Sequence, residues 1–174
     1  MRKTVLGPLL ACLPLASLPI SAQAHVTLET SQARADSYYK ATLRASHGCK
    51  GSPTVKLRVR IPEGMTGVKP QPKPGWKLEI TRVKLAAPLD DGHGGKITET
   101  VGEVAWAGGP LADEHFDEFM MMMKLPDRPG TTLYFPVVQE CTQGVHRWIE
   151  IPAAGKSARD YKEPAPALQL VPKQ

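Results

Sequence analysis

Alternation of apolar and polar residues dominates this chain. In TVKLRVRIP, Val55, Leu57, Val59 and Ile61 share one side of an extended segment, and Lys56, Arg58 and Arg60 share the other. Period two over seven residues predicts a half-buried antiparallel strand, ended by Pro62-Glu63-Gly64. Val26 and Leu28 begin an earlier strand. Further strands are predicted at Tyr39 to Arg44, Trp76 to Leu85, Thr98 to Trp106, Tyr134 to Glu140 and Val145 to Ile151. In the last of these His146, Trp148 and Glu150 fall on one face, with Val145, Arg147, Ile149 and Ile151 on the other. The run LADEHFDEFMMMMKLP fits either period: Phe116, Phe119 and Met123 have helical spacing, and alternate residues would also line a strand. Short strands broken by Pro and Gly predict an all-β fold, a sandwich of the immunoglobulin-like or cupredoxin-like kind. Ala153 to Gln174 is rich in Ala, Pro and Lys, with strand character only at Leu168 to Val171.

The beginning of the chain has a different texture. Arg2 and Lys3 precede a mostly apolar run from Val5 to Ile20, and Ala22-Gln23-Ala24 has the small-x-small form of a secretory cleavage site. Residues 1–24 are therefore expected to be a signal peptide, with cleavage before His25. A competing lipoprotein reading rests on Leu9-Leu10-Ala11-Cys12, which leaves a very short apolar region after Lys3. No later stretch reaches the length of a membrane span, so no membrane anchor is expected and the predicted location is periplasmic. The domain is assigned to residues 25–155, and residues 156–174 to a C-terminal extension with a short final strand.

Charge excludes little and cysteine count suggests more. The formal net charge is +5, and two of the positive charges are Arg2 and Lys3. The remaining excess is scattered, so nucleic acid is not an expected partner. Without the leader, the cysteines are Cys49 and Cys141. In an exported chain they are most simply a disulfide, the alternative being a pair of thiolate copper ligands.

Cleavage before His25 would create an unusual chemical group. A free α-amine and the ring Nδ1 of one histidine can close a chelate around a metal ion. The amine titrates at about 7.7–8.0 when unperturbed, so losing its proton on metal binding costs little. Nitrogen donors of this kind favour Cu(II); the alternative is that His25 merely follows the cut. His47 lies two residues before Cys49, so a Cys49–Cys141 bridge would bring it near the turn leading to Trp148. Trp148 is otherwise a large core residue. His93 lies in a polar DDGHGG loop. His115 stands among Asp113, Glu114, Asp117 and Glu118, where charge balance is its simpler role and a secondary metal site the alternative. Met120 to Met123 offer soft thioethers for Cu(I), but consecutive residues do not converge, and flexible core filling is the simpler account.

Taken together, HVTLE after the leader, YYKATLRASHGC, VKLRVRIPEG, VKPQPKPGW, FDEF and CTQGVHRWIEIP resemble the YcnI-like (DUF1775) family of exported bacterial copper-binding proteins, in that order and at similar spacing. The resemblance implies a β-sandwich holding Cu(II) through the amine and ring of His25, with Trp148 close to the metal and not necessarily a ligand. Some family members complete the site with a glutamate. Here His47 and Gly48 occupy that region, leaving His47, water or a more distant group for the third position. The implied role is copper trafficking or homeostasis, with an exported copper chaperone or copper transporter as partner and no enzymatic activity. Two alternatives stand beside it: a copper-dependent oxidase or polysaccharide monooxygenase, kept open by His47, and a nonmetal exported structural or interaction module. Neither a Ser-His-Asp nor a Cys-His arrangement is evident.

Overall fold

The computed structural model describes residues 25–91 and 94–173. The expected signal peptide and His93 lie outside them. Strands β1 (Thr27–Leu28), β3 (Tyr38–Ala45), β8 (Asp117–Lys124) and β5 (Thr66–Pro70) form one sheet in the order β1-β3-β8-β5. A second sheet runs β11-β10-β4-β7-β6, built from β4 (Thr54–Arg60), β6 (Trp76–Asp90), β7 (Lys96–Leu111), β10 (Val137–Cys141) and β11 (Val145–Trp148). A small third sheet places β12 (Ala167–Val171) between β2 (Gln32–Arg34) and β9 (Thr132–Tyr134). Apart from the parallel pair β12–β2, the neighbours are antiparallel. A 3-10 turn at Ala158–Asp160 is the one helical element among the described residues, and no helix there is long and apolar enough to cross a membrane.

The two larger sheets bury their facing side chains as alternation requires. Leu57 and Val59 from β4, Ala41 and Leu43 from β3, Val104 and Trp106 from β7, and Val137 from β10 are all within the core. The ambiguous run after Pro110 resolves as a strand. Phe119, Met121 and Met123 point inward and are buried, whereas Met122 is exposed. The strand period wins because β8 is held on both edges, by β3 and β5.

Two details depart from the sequence reading. A register shift between Thr54 and Lys56 breaks the alternation of β4 at its start. Thr54 is consequently buried while Val55 is only half-buried. The β6–β7 hairpin is also longer than its apolar pattern predicted, since its outer part is largely exposed and carries little hydrophobic signal.

One aromatic cluster belongs wholly to packing. Phe119 meets Trp76 and Trp106 edge-on, with ring centroids 5.1 and 5.4 Å apart. The indole N–H of Trp106 donates to the Gln71 carbonyl at 2.9 Å. Gly109 makes room for this arrangement. Its φ is +82°, and a Cβ there would stand 2.6 Å from Cζ2 of Trp76.

A surface ion cluster ties the final residues to the turn after β2. Asp36 pairs with Lys124 at 2.9 Å and with Lys173 at 2.6 Å, and Lys173 also reaches Asp127. Hydrogen bonds from Lys173 and then Lys124 hold the Asp36 carboxyl down to about 2, against an ordinary 3.8.

Candidate functional site

The site begins with a polar residue facing inward. Alternation along β10 buries Val137, Gln139 and Cys141. Its antiparallel partner β11 sets Trp148 opposite Val137 and His146 opposite Gln139. A buried amide must find partners, since leaving one unmet costs about 1–3 kcal/mol. Gln139 finds three. Its Nε2 donates to the His47 carbonyl at 2.6 Å and to Thr54 Oγ1 at 2.7 Å, and its Oε1 accepts from Trp148 Nε1 at 3.0 Å. One side chain thus joins β11, the start of β4 and the segment carrying His47.

That segment is held again by the Cys49–Cys141 disulfide, which spans 92 residues of sequence. The thiolate-ligand alternative therefore falls. The Gly48 N–H donates to Asp113 Oδ1 at 2.9 Å, and Cys49 and Ser52 exchange backbone hydrogen bonds. Only glycine fits at position 48, because a Cβ there would lie 1.9 Å from the Ser52 carbonyl oxygen.

Around Trp148 the fold gathers His25, His47 and His146. The His146 ring stacks on the indole at 4.9 Å, His25 meets it edge-on at 5.2 Å, and His47 stands 6.5 Å away, 5.8 Å from His146. Each imidazole already has a nearby oxygen. His146 Nδ1 is 2.6 Å from Glu163 Oε1, His25 Nε2 is 3.2 Å from the Lys162 carbonyl, and His47 Nδ1 contacts the Gly48 carbonyl. The other oxygen of Glu163 accepts the Arg147 N–H at 2.8 Å. Burial alone would raise the Glu163 carboxyl; the bonds from His146 and the Arg147 backbone outweigh it and hold the group below its ordinary value.

This arrangement corrects the expectation of copper. Among the described residues, no group of three or more His, Cys, Asp or Glu side chains could hold a metal ion. The physical reason is visible in the packing. The rings of His25 and His146 each pack against the Trp148 indole, and the three imidazoles each have a nitrogen beside a different oxygen, those of Lys162, Gly48 and Glu163. The expected Cu(II) cofactor and the copper-holding function are withdrawn on this finding. The residues the sequence singled out do come together, but as an aromatic and hydrogen-bonded cluster.

Other candidates lie apart from it. His115 is exposed, 3.8 Å from Glu114. The methionines divide between core and surface. Two residues that shape the cluster escaped the sequence reading. Gln139 carried a signal, being a polar residue at an inward position of VVQEC. Glu163 carried none, because it lies in a Pro-, Ala- and Lys-rich stretch without periodicity.

Two β-sheets packed face to face, with one disulfide tying the β3–β4 connection to the end of β10 and a small mixed sheet beside them, define an immunoglobulin-like sandwich. The crystal structure of an uncharacterized protein from Nocardia farcinica, described as revealing an immunoglobulin-like fold, is similar with a TM-score of 0.64 and 25% identity. The match covers 85% of this chain and 99% of that one. The chain belongs to the family described as "Domain of unknown function (DUF1775)", whose profile matches residues 25–170. No curated protein matches it.

Proposed function

We infer that the protein is an extracytoplasmic interaction module that works without a metal, and that its contact surface is the apolar strip formed by β11 and the residues after it. The observation that carries this reading is a set of exposed aliphatic side chains on the outward side of β11 and just after it. Val145, Ile149 and Ile151 are 44%, 42% and 53% exposed. Three aliphatic side chains beside one edge strand form the kind of patch that marks a protein contact. Covering what remains exposed of each is worth about 1 kcal/mol, roughly half the value of burying a fully exposed aliphatic side chain.

The backbone of this edge is already engaged. Arg147 N–H donates to Glu163 Oε2, Glu150 N–H to the Glu163 carbonyl, and Ala165 N–H to the Glu150 carbonyl. A partner would therefore meet side chains and would not add a strand. The disulfide supports a location outside the reducing cytoplasm.

The test is photo-cross-linking in cells that export the protein, from position 149 and from the control position 96 at the start of β7, with and without a chelator. A single discrete adduct from position 149, lost on Ile151→Glu and retained under chelation, is the expected result. Equal labelling from both positions would remove the proposed surface, and loss of the adduct on chelation would overturn the metal-free reading.

A further inference from the structure

A second feature, next to the β11 strip and lined in part by His25, is a cleft of about 330 Å³ between β1 and the segment from Ala158 to Ala167. Its apolar wall comes from Leu28 on one side and from Pro164, Ala165 and Pro166 on the other. The three residues from 164 to 166 are buried, and Leu28 is half-buried against the core. β1 is the edge strand of its sheet, so among the described residues no further strand pairs with this side of it.

The wall opposite β1 is fixed before any ligand arrives. Asp160 accepts from the Ser157 N–H at 2.8 Å and lies 3.2 Å from its hydroxyl, the Tyr161 hydroxyl accepts the Ala153 N–H, and Glu150 exchanges backbone bonds with Glu163 and Ala165. A wall held in this way loses little entropy when a ligand binds.

Charge then distinguishes this cleft from a bare apolar groove. Arg159 lines it from the 3-10 turn and is exposed. Its sequence neighbour Asp160 is committed to Ser157, and among the described residues Arg159 has no ion-pair or hydrogen-bond partner. An unpaired guanidinium beside a preformed apolar cleft complements a carboxylate attached to hydrocarbon, and its planar donors match a carboxylate's two oxygens. The volume lies at the low end of the roughly 300–1,000 Å³ usual for ligand clefts, which suits a short hydrocarbon chain better than a peptide of several residues.

We propose that this cleft binds a small aliphatic monocarboxylate, with its chain against Leu28, Pro164, Ala165 and Pro166 and its carboxylate on Arg159. The apolar wall supplies the burial, and the guanidinium selects the anion.

Titration calorimetry of the full chain with octanoate, paired with amide chemical-shift mapping, tests this assignment. The controls are acetate, which has the charge without the chain, and octanol, which has the chain without the charge. Expected are saturable one-to-one binding of octanoate with shifts confined to the cleft, no measurable binding of acetate, and octanoate affinity at least fivefold weaker in Arg159→Gln. Octanol should bind wild type and Arg159→Gln equally. Because Arg159 is exposed, the variant folds, and unchanged amide positions outside the cleft verify it. Equal octanoate affinity in the two proteins, shifts elsewhere on the surface, or no saturable binding would each overturn the assignment.

Discussion

Trp106 and Trp148 are both buried, at 0% and 4% exposure, and both donate their indole N–H to an oxygen. They nevertheless sit in opposite chemistries. Trp106 packs beside Phe119, which also meets Trp76, and its acceptor is a backbone carbonyl. Trp148 packs with imidazoles, and its acceptor is the side chain of Gln139, which must also satisfy Thr54 and His47. Loss of a ring from the first cluster removes contact area and leaves a cavity. Loss of one amide from the second strands several polar atoms at once. The first is resilient to modest changes of shape, while the second depends on a few directional bonds and on the covalent tie that aligns them.

Breaking that tie should have the largest effect. In the chain-entropy account a loop closed across 92 residues contributes about 4.5 kcal/mol, so the double variant Cys49→Ala/Cys141→Ala is expected to lose about that much in urea unfolding. Nuclear magnetic resonance of the histidine rings should show His47 leaving its environment while the Trp106 region is unchanged. Next, Phe119→Ala should cost about 4 kcal/mol, as for other buried aromatic residues, and should leave the His146 and Trp148 resonances in place. If it moves them, the two clusters are not independent.

Gln139→Leu sharpens the contrast. It keeps approximate size and burial but leaves the Trp148 N–H, the His47 carbonyl and Thr54 to find other partners. A loss of about 2 kcal/mol is expected, together with altered Trp148 fluorescence. A neutral result would mean that the polar links to Gln139 contribute no net stability.

The smallest effects concern acid. The Asp36 carboxyl, ordinarily at 3.8, titrates at about 2 in the folded chain, so its contribution is complete above about pH 4 and lost as pH falls toward 2. Glu163, also held below its ordinary value, contributes in the same sense: fully above its unfolded value, and less as pH falls through its folded one. Melting temperatures followed down the acid limb should fall less steeply in Asp36→Asn and in Glu163→Gln. Only the second should also disturb the His146 ring. An unaltered acid limb in both would assign acid sensitivity to other carboxylates.

Much of the sandwich was legible because period two survives wherever one face is buried. β4, β10 and β12 show it, and the disulfide followed from two cysteines in a chain with an apparent leader. Legibility ended where structure is set by something other than periodicity. The strand expected to run from Val145 to Ile151 ends at Trp148, so the exposure of Ile149 and Ile151 beyond it is set by no strand period. The histidine and tryptophan positions attracted notice singly. Their arrangement around Trp148 depends on Gln139 and Glu163, whose partners are 9 to 92 residues away, a separation that no local pattern encodes. The copper expectation failed at the same point, because residue types imply a donor set only when their atoms converge.

The position of β12 has a consequence for biogenesis. It follows every other described strand in sequence but lies between β2 and β9 in space. During vectorial synthesis or translocation, its two neighbours would emerge and wait without the strand that joins them. A chain stopped shortly before Ala167 would present both as unpaired edges and leave a gap where Leu168 and Leu170 fill the core. Pairing of β12 therefore joins two otherwise lone strands and covers the apolar surface around them in one late step.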